Sequence, residues 1–129
     1  TSKLCQYNFQ TEKCFQIDLK GNWDIMDSNE GQLLLKYWKA SSSQYLYLFD
    51  AQTNKLTPLD EQGNSRKAFF VGERVFWTSD GNDKCKSDPC ILTFDLTKNS
   101  LNGLNLPKNL LNINDIKISP DGKHLLVQD

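Results

Sequence analysis

A short stretch that occurs three times constrains this chain more than any other feature. Gln10-Thr11-Glu12-Lys13-Cys14 returns as Gln52-Thr53-Asn54-Lys55-Leu56, and again as Thr97-Lys98-Asn99-Ser100-Leu101. Copies spaced by 42 and then 45 residues mean that one supersecondary unit is used repeatedly. That spacing suits four-stranded blades, whereas helical repeats are shorter and carry a 3.6-residue period. Between the copies, short apolar runs are punctuated by Gly, Asn, Asp and Pro, the pattern of many strands and little helix. The expectation is an all-β chain of about three four-stranded antiparallel propeller-type blades.

Each repeat reads as two strands joined by a tight turn, a loop, and two more strands. The first pairs are Trp23 to Met26 with Gln32 to Tyr37, Ala68 to Val71 with Arg74 to Thr78, and Asn114 to Ile118 with His124 to Gln128. The second pairs are Leu4 to Asn8 with Cys14 to Ile17, Tyr45 to Asp50 with Lys55 to Leu59, and Cys90 to Asp95 with Ser100 to Leu104. Asp and Asn at the ends of the second-pair turns (Asp50, Asn54, Asp95, Asn99) offer side chains that cap backbone donors. The expected division is an outer hairpin over 1–20, blades over about 21–62 and 63–106, and an inner strand pair over 107–129. The chain therefore holds two complete blades flanked by complementary halves. This phase predicts a partial propeller, an open three-sheet arrangement, or a homodimer in which the terminal strands of two copies complete each other.

The turn Ser119-Pro120-Asp121-Gly122 is the clearest of the first-pair turns, since Pro presets φ and Gly accepts the left-handed backbone that follows. With its flanking strands, Ile116 to Val127, this segment resembles the repeat signature of the TolB-like, WD-like β-propeller family. Ser28-Asn29-Glu30-Gly31-Gln32-Leu33-Leu34-Leu35 is similar to it in the Ser, the Gly and the apolar strand, and Val71-Gly72-Glu73-Arg74-Val75-Phe76 in the Gly and strand. The resemblance implies radially packed four-stranded sheets and names no particular partner.

Four cysteines fall in two close pairs, Cys5 with Cys14 and Cys85 with Cys90. Three connectivities are open, and local pairing requires the least rearrangement of the chain. Zinc fits poorly, with spacings of nine and five and a single histidine, and free thiols are the other alternative. Disulfides point to a periplasmic or secreted protein. A two-residue turn would set Cys5 opposite Cys14; a four-residue turn would leave them diagonal, where partners typically lie about 7 to 8 Å apart. Lys and Arg (15) nearly balance Asp and Glu (16), which disfavours nucleic acid and anionic membrane surfaces as partners. No apolar run approaches the roughly 20 residues that span a bilayer, so direct membrane insertion of this segment is not expected.

Candidate chemistry is sparse. His124, the sole histidine, has Ser119 and Asp121 nearby only as members of its turn. The loop Ser79-Asp80-Gly81-Asn82-Asp83 carries oxygen ligands suited to calcium, but Lys84 occupies a ligand position of the EF-hand pattern and no Glu follows, so a solvated turn is expected. Ser41 to Ser43 read as a loop, and the chain has no Gly-x-Ser-x-Gly elbow or phosphate-cradling loop. Asp24, Asp27, Glu30, Asp60 and Glu61 read as turn and surface charges. No catalytic residue, cofactor or metal is expected. Most aromatics belong in the core, while Trp38, Tyr45 and Tyr47 flank the serine loop and are the candidate partner-binding residues.

The function expected is a non-enzymatic, extracytoplasmic protein-interaction module that scaffolds or docks within an envelope-associated assembly. The alternative is a ligand-sensing periplasmic domain of a membrane-anchored bacterial signalling protein or transcriptional regulator, since TolB-like repeats also occur in such sensors.

Overall fold

The computed structural model describes residues 3–39, 43–85, 90–107, 109–110 and 113–128. The expected loops at Ser41 and Ser42 and at Lys86 to Pro89 lie outside those residues. Everything regular within them is strand. In chain order these are β1 (Leu4–Asn8), β2 (Lys13–Ile17), β3 (Asn22–Asn29), β4 (Gln32–Lys39), β5 (Ser43–Asp50) and β6 (Lys55–Asp60). There follow β7 (Asn64–Val71), β8 (Arg74–Asp80), β9 (Cys90–Asp95), β10 (Ser100–Gly103), β11 (Asp115–Ile118) and β12 (Leu125–Gln128). Two four-stranded antiparallel sheets, β3-β4-β5-β6 and β7-β8-β9-β10, keep strict chain order, and β1-β2 and β11-β12 form two-stranded sheets at either side. No helix among the described residues is long and apolar enough to cross a membrane.

The hairpins repeat in atomic detail. Asn8 Oδ1 accepts the N–H groups of Gln10 and Thr11 (2.9 and 3.1 Å), Asp50 Oδ1 those of Gln52 and Thr53 (2.9 and 3.3 Å), and Asp95 Oδ1 those of Thr97 and Lys98 (2.9 and 3.1 Å). Each turn then passes through a left-handed residue, at Glu12 (φ 56°), Asn54 (57°) and Asn99 (55°), so the sequence repeat is a repeated turn geometry. The side-chain oxygen satisfies two backbone donors that a tight turn would otherwise leave to water. These bonds, led by the one from the Lys98 N–H, hold the partly buried Asp95 carboxyl below the usual carboxylate range. Pro58 sits in β6, which has a sheet neighbour on one side only, where its missing N–H costs no ladder bond.

Packing joins the sheets in sequence. Side chains alternate across each strand, so Leu34, Leu46, Leu48 and Leu59 leave one face of β3–β6 to meet Ala68, Val75, Trp77 and Leu92 of the next sheet. On the opposite face Trp23, Leu35 and Phe49 pack against Leu4 and Ile17 of the first hairpin. Ile91 packs with Ile113 and Ile116 on the far side of β7–β10. Direct polar ties reinforce the order: the Phe70 N–H donates to Asp27 Oδ2 (2.8 Å), and Lys67 pairs with Asp115 (3.7 Å).

Both cysteine pairs lie at disulfide distance, with Cα–Cα separations of 5.7 Å for Cys5–Cys14 and 5.6 Å for Cys85–Cys90. Cys5 stands opposite Gln16, and Tyr7 opposite Cys14, so the first pair is the diagonal one that a four-residue turn produces. The expected 7 to 8 Å diagonal separation is corrected to 5.7 Å. Strand twist shortens one of the two diagonals of a ladder at the expense of the other.

Candidate partner-binding end

Asp60 closes β6 and is 2% exposed, although it reads in the sequence as a surface charge. Oδ1 accepts from the Gln62 and Gly63 N–H groups (3.2 Å each) and from Asn82 Nδ2 (2.9 Å). Oδ2 accepts from Ser65 Oγ (3.2 Å), Trp77 Nε1 (3.0 Å) and Ser79 Oγ (2.6 Å). Burial pushes this carboxyl up, and the donors from Ser79, Asn82, Trp77 and Gly63 outweigh it, leaving the group below its ordinary value. One carboxylate thus bolts the end of one sheet to the first two strands of the next. Ser79 and Asn82 are buried in this network, which corrects the reading of Ser79 to Asp83 as a solvated turn.

The network shapes the end of the molecule above it. Gln62, Gly63 and Asn64, turned by the Asp60 carboxylate, line a cleft of about 350 Å³ with Ser43, Tyr45, Asp80 and Gly81. Gly63 is required there because a Cβ would run into the Asp80 carbonyl oxygen. Asn64 Oδ1 accepts the Gln44 N–H (3.0 Å) and ties the start of β5 to the same loop.

Of the aromatic candidates Tyr45 lines the cleft, and the three stand on two different faces of the sheet. Trp38 pairs with Gln44 and Tyr37 with Tyr45, so strand alternation sends Trp38 to one side of the sheet and Tyr37, Tyr45 and Tyr47 to the other. Trp38 is 41% exposed; its indole N–H donates to Asp24 Oδ2 (2.5 Å), and Lys36 Nζ lies 5.5 Å from the ring centroid. Burial lowers the Lys36 pKa, Asp24 opposes that shift, and Lys67 and Arg66 add to it. On the other face Tyr45 is half-buried with Lys39 Nζ 5.6 Å away. Tyr47 is drawn further in, 5.3 Å from Trp23, with its hydroxyl donating to Glu61. Burial first, then Glu61, raise its phenol pKa. Trp38 and Tyr45 therefore present ring surface at this end, and Tyr47 joins the Trp23 and Tyr37 cluster.

The other singled-out residues lie elsewhere. Gly122 takes φ 71°, donates its N–H to the Ser119 carbonyl (2.9 Å), and sits in a turn where Ser119 Oγ meets Asp121 Oδ1 (2.5 Å). That hydroxyl leads the interactions that lower the Asp121 pKa. Pro120 begins this turn, and His124 is an exposed neighbour with Nδ1 3.6 Å from Asp121. Among the described residues no group of three or more His, Cys, Asp and Glu side chains is placed to hold a metal ion. Compared with known proteins, the chain matches no family model, no curated protein and no solved structure.

Proposed function

We propose that this chain is a non-enzymatic, extracytoplasmic protein-interaction module of TolB-like propeller character, docking a protein partner through the end that carries Trp38 and Tyr45. The observation behind the reading is the exposed Trp38 ring at the same sheet end as Tyr45, which lines a cleft whose wall is fixed from below by the buried Asp60 network. A partly exposed tryptophan and a tyrosine on rigid strands offer large contact area at small cost in side-chain entropy. Lys36 and Lys39 set cations over the two rings, which suits a partner bringing carboxylates to an apolar contact. The chain-ordered sheets support the propeller character, and the two cysteine pairs at disulfide distance support the oxidising compartment.

The test is affinity capture with cross-linking from the source organism's envelope fraction, using the wild-type chain and a Trp38→Ala/Tyr45→Ala variant checked for an unchanged melting temperature. A protein retained by the wild type and reduced tenfold or more with the variant supports the reading. Equal retention by both, or no retained protein, overturns it.

A further inference from the structure

Of the six large apolar side chains exposed among the described residues, three concern the sides of the row of sheets: Tyr7 is 49% exposed, Ile25 53% and Leu126 55%. Each has a counterpart in the repeat that is buried. Tyr7 occupies the hairpin position of Phe49, 42 residues further on. Ile25, opposite Leu35, corresponds to Ala68, opposite Trp77. Leu126 lies on the face of its sheet turned away from Ile116, as Leu34 lies on the outward face of β4. Phe49, Ala68 and Leu34 are covered because their sheets have four strands and a neighbouring sheet on the relevant side.

The incomplete sheets are complementary. The β1–β2 hairpin has the turn of β5–β6 and β9–β10, the third and fourth strands of the complete sheets, while β11–β12 corresponds to the first and second. In the complete sheets β4 gives its outer edge to β5, and β8 to β9. Among the described residues the matching edges of β12 and β1 pair with no strand. Such edges recruit strands.

We propose that the occupant of both edges is a second copy of this chain, with β12 of each copy pairing antiparallel with β1 of the other. The repeat dictates the register. Counted from the residue that closes each turn, Gln32, Arg74 and, across the longer third turn, His124, Leu126 takes the place of Leu34 and Phe76; these face Leu48 and Thr93, so Leu126 faces Gln6 of the second copy and Leu125 faces Tyr7. Two gaps accept the incoming strands. A cleft of about 410 Å³ between β1 and β3, lined by Leu4, Ile17, Ile25 and Leu33, receives β11 and β12, and Leu126 meets Ile25 there. A second, of about 570 Å³, borders Phe76 and Leu125 and receives Tyr7 of the second copy. A backbone bond completes the match: the Ala51 N–H donates to the Gly31 carbonyl and the Leu96 N–H to that of Glu73 (2.9 Å each), and the third donor of this series is Phe9, with Lys123 of the second copy as acceptor. The two exchanges are related by a two-fold axis and close a ring of six sheets, two complete ones from each copy and two shared. Six lies within the range of about four to eight blades in closed propellers. This inference stands on edge register and exposure, and is independent of the Trp38 end.

Light scattering over a concentration series should give twice the 14.8 kDa chain mass, and Leu126→Asp should raise the dimer dissociation constant at least tenfold. Leu126 is exposed in the single chain, so the substitution leaves each copy folded. Register is tested by mixing a Gln6→Cys chain with a Leu126→Cys chain under a glutathione redox buffer and reading the mixture on a non-reducing gel. A covalent heterodimer formed in the mixture supports the pairing. A monomeric wild type at all concentrations overturns it, and so does a dimer that neither weakens with Leu126→Asp nor cross-links in the mixture.

Discussion

Asp60 is where a single residue governs most. Its two oxygens collect donors from residues 62, 63, 65, 77, 79 and 82, and several of these lose their only nearby acceptor if the carboxylate is removed. Asp60→Asn turns an amide N–H₂ toward fixed donors such as the Trp77 indole, and the variant should be less stable by about 3 kcal/mol in urea unfolding. The pH dependence follows from the depressed pKa. The stabilisation is complete above the ordinary carboxyl value of 3.8 and is lost as pH falls below it through the lower folded-state value. Melting curves below about pH 4 should therefore fall more steeply for the wild type than for Asp60→Asn, and parallel curves would remove Asp60 as the source. None of this was legible in the sequence, where the carboxylate and its partners are dispersed over several elements and no local spacing joins them. Trp38 and Tyr45 are a different case. Their opposite faces follow from strand alternation once Trp38 is known to pair with Gln44 and Tyr37 with Tyr45, a register that hydrophobic pattern alone does not give.

At the scale of elements the sequence was far more readable. Every segment expected to be a strand is one, because alternating apolar residues and turn-forming Asp, Asn and Gly act locally. The ends moved where polar residues continue the ladder, as at Asp27 to Asn29 in β3 and Asn64 to Lys67 in β7, for which hydrophobicity gives no signal. Within the repeated hairpin turn, Glu12 is the odd member, since Asn tolerates a left-handed backbone better than Glu. Glu12→Asn should raise stability by about 0.5 kcal/mol in chemical denaturation. The turn at Ser119 makes the opposite prediction. At Gly122 nothing lies within 4 Å of an added Cβ, so any penalty there comes from its φ of 71° rather than from crowding. Gly122→Val should cost about 1 to 2 kcal/mol, and Gly122→Asn distinctly less; equal costs would show that the left-handed backbone is not what the glycine serves.

For the whole molecule, the phase of the repeat anticipated complementary halves, but the exposed faces of Tyr7, Ile25 and Leu126 emerge only once each strand has a register and a neighbour. The first hairpin adds one more consequence. Cys5 and Cys14 lie at bonding distance on the face of β1–β2 that carries Tyr7, away from the side held by Leu4 and Ile17. A cross-link there closes a loop within the hairpin itself and does not tie it to the rest of the chain. The hairpin is thereby a latch whose shape is set in advance while it stays packed on Trp23, Leu35 and Phe49; in the proposed dimer the ordering entropy of its two strands would be settled at oxidation rather than at association.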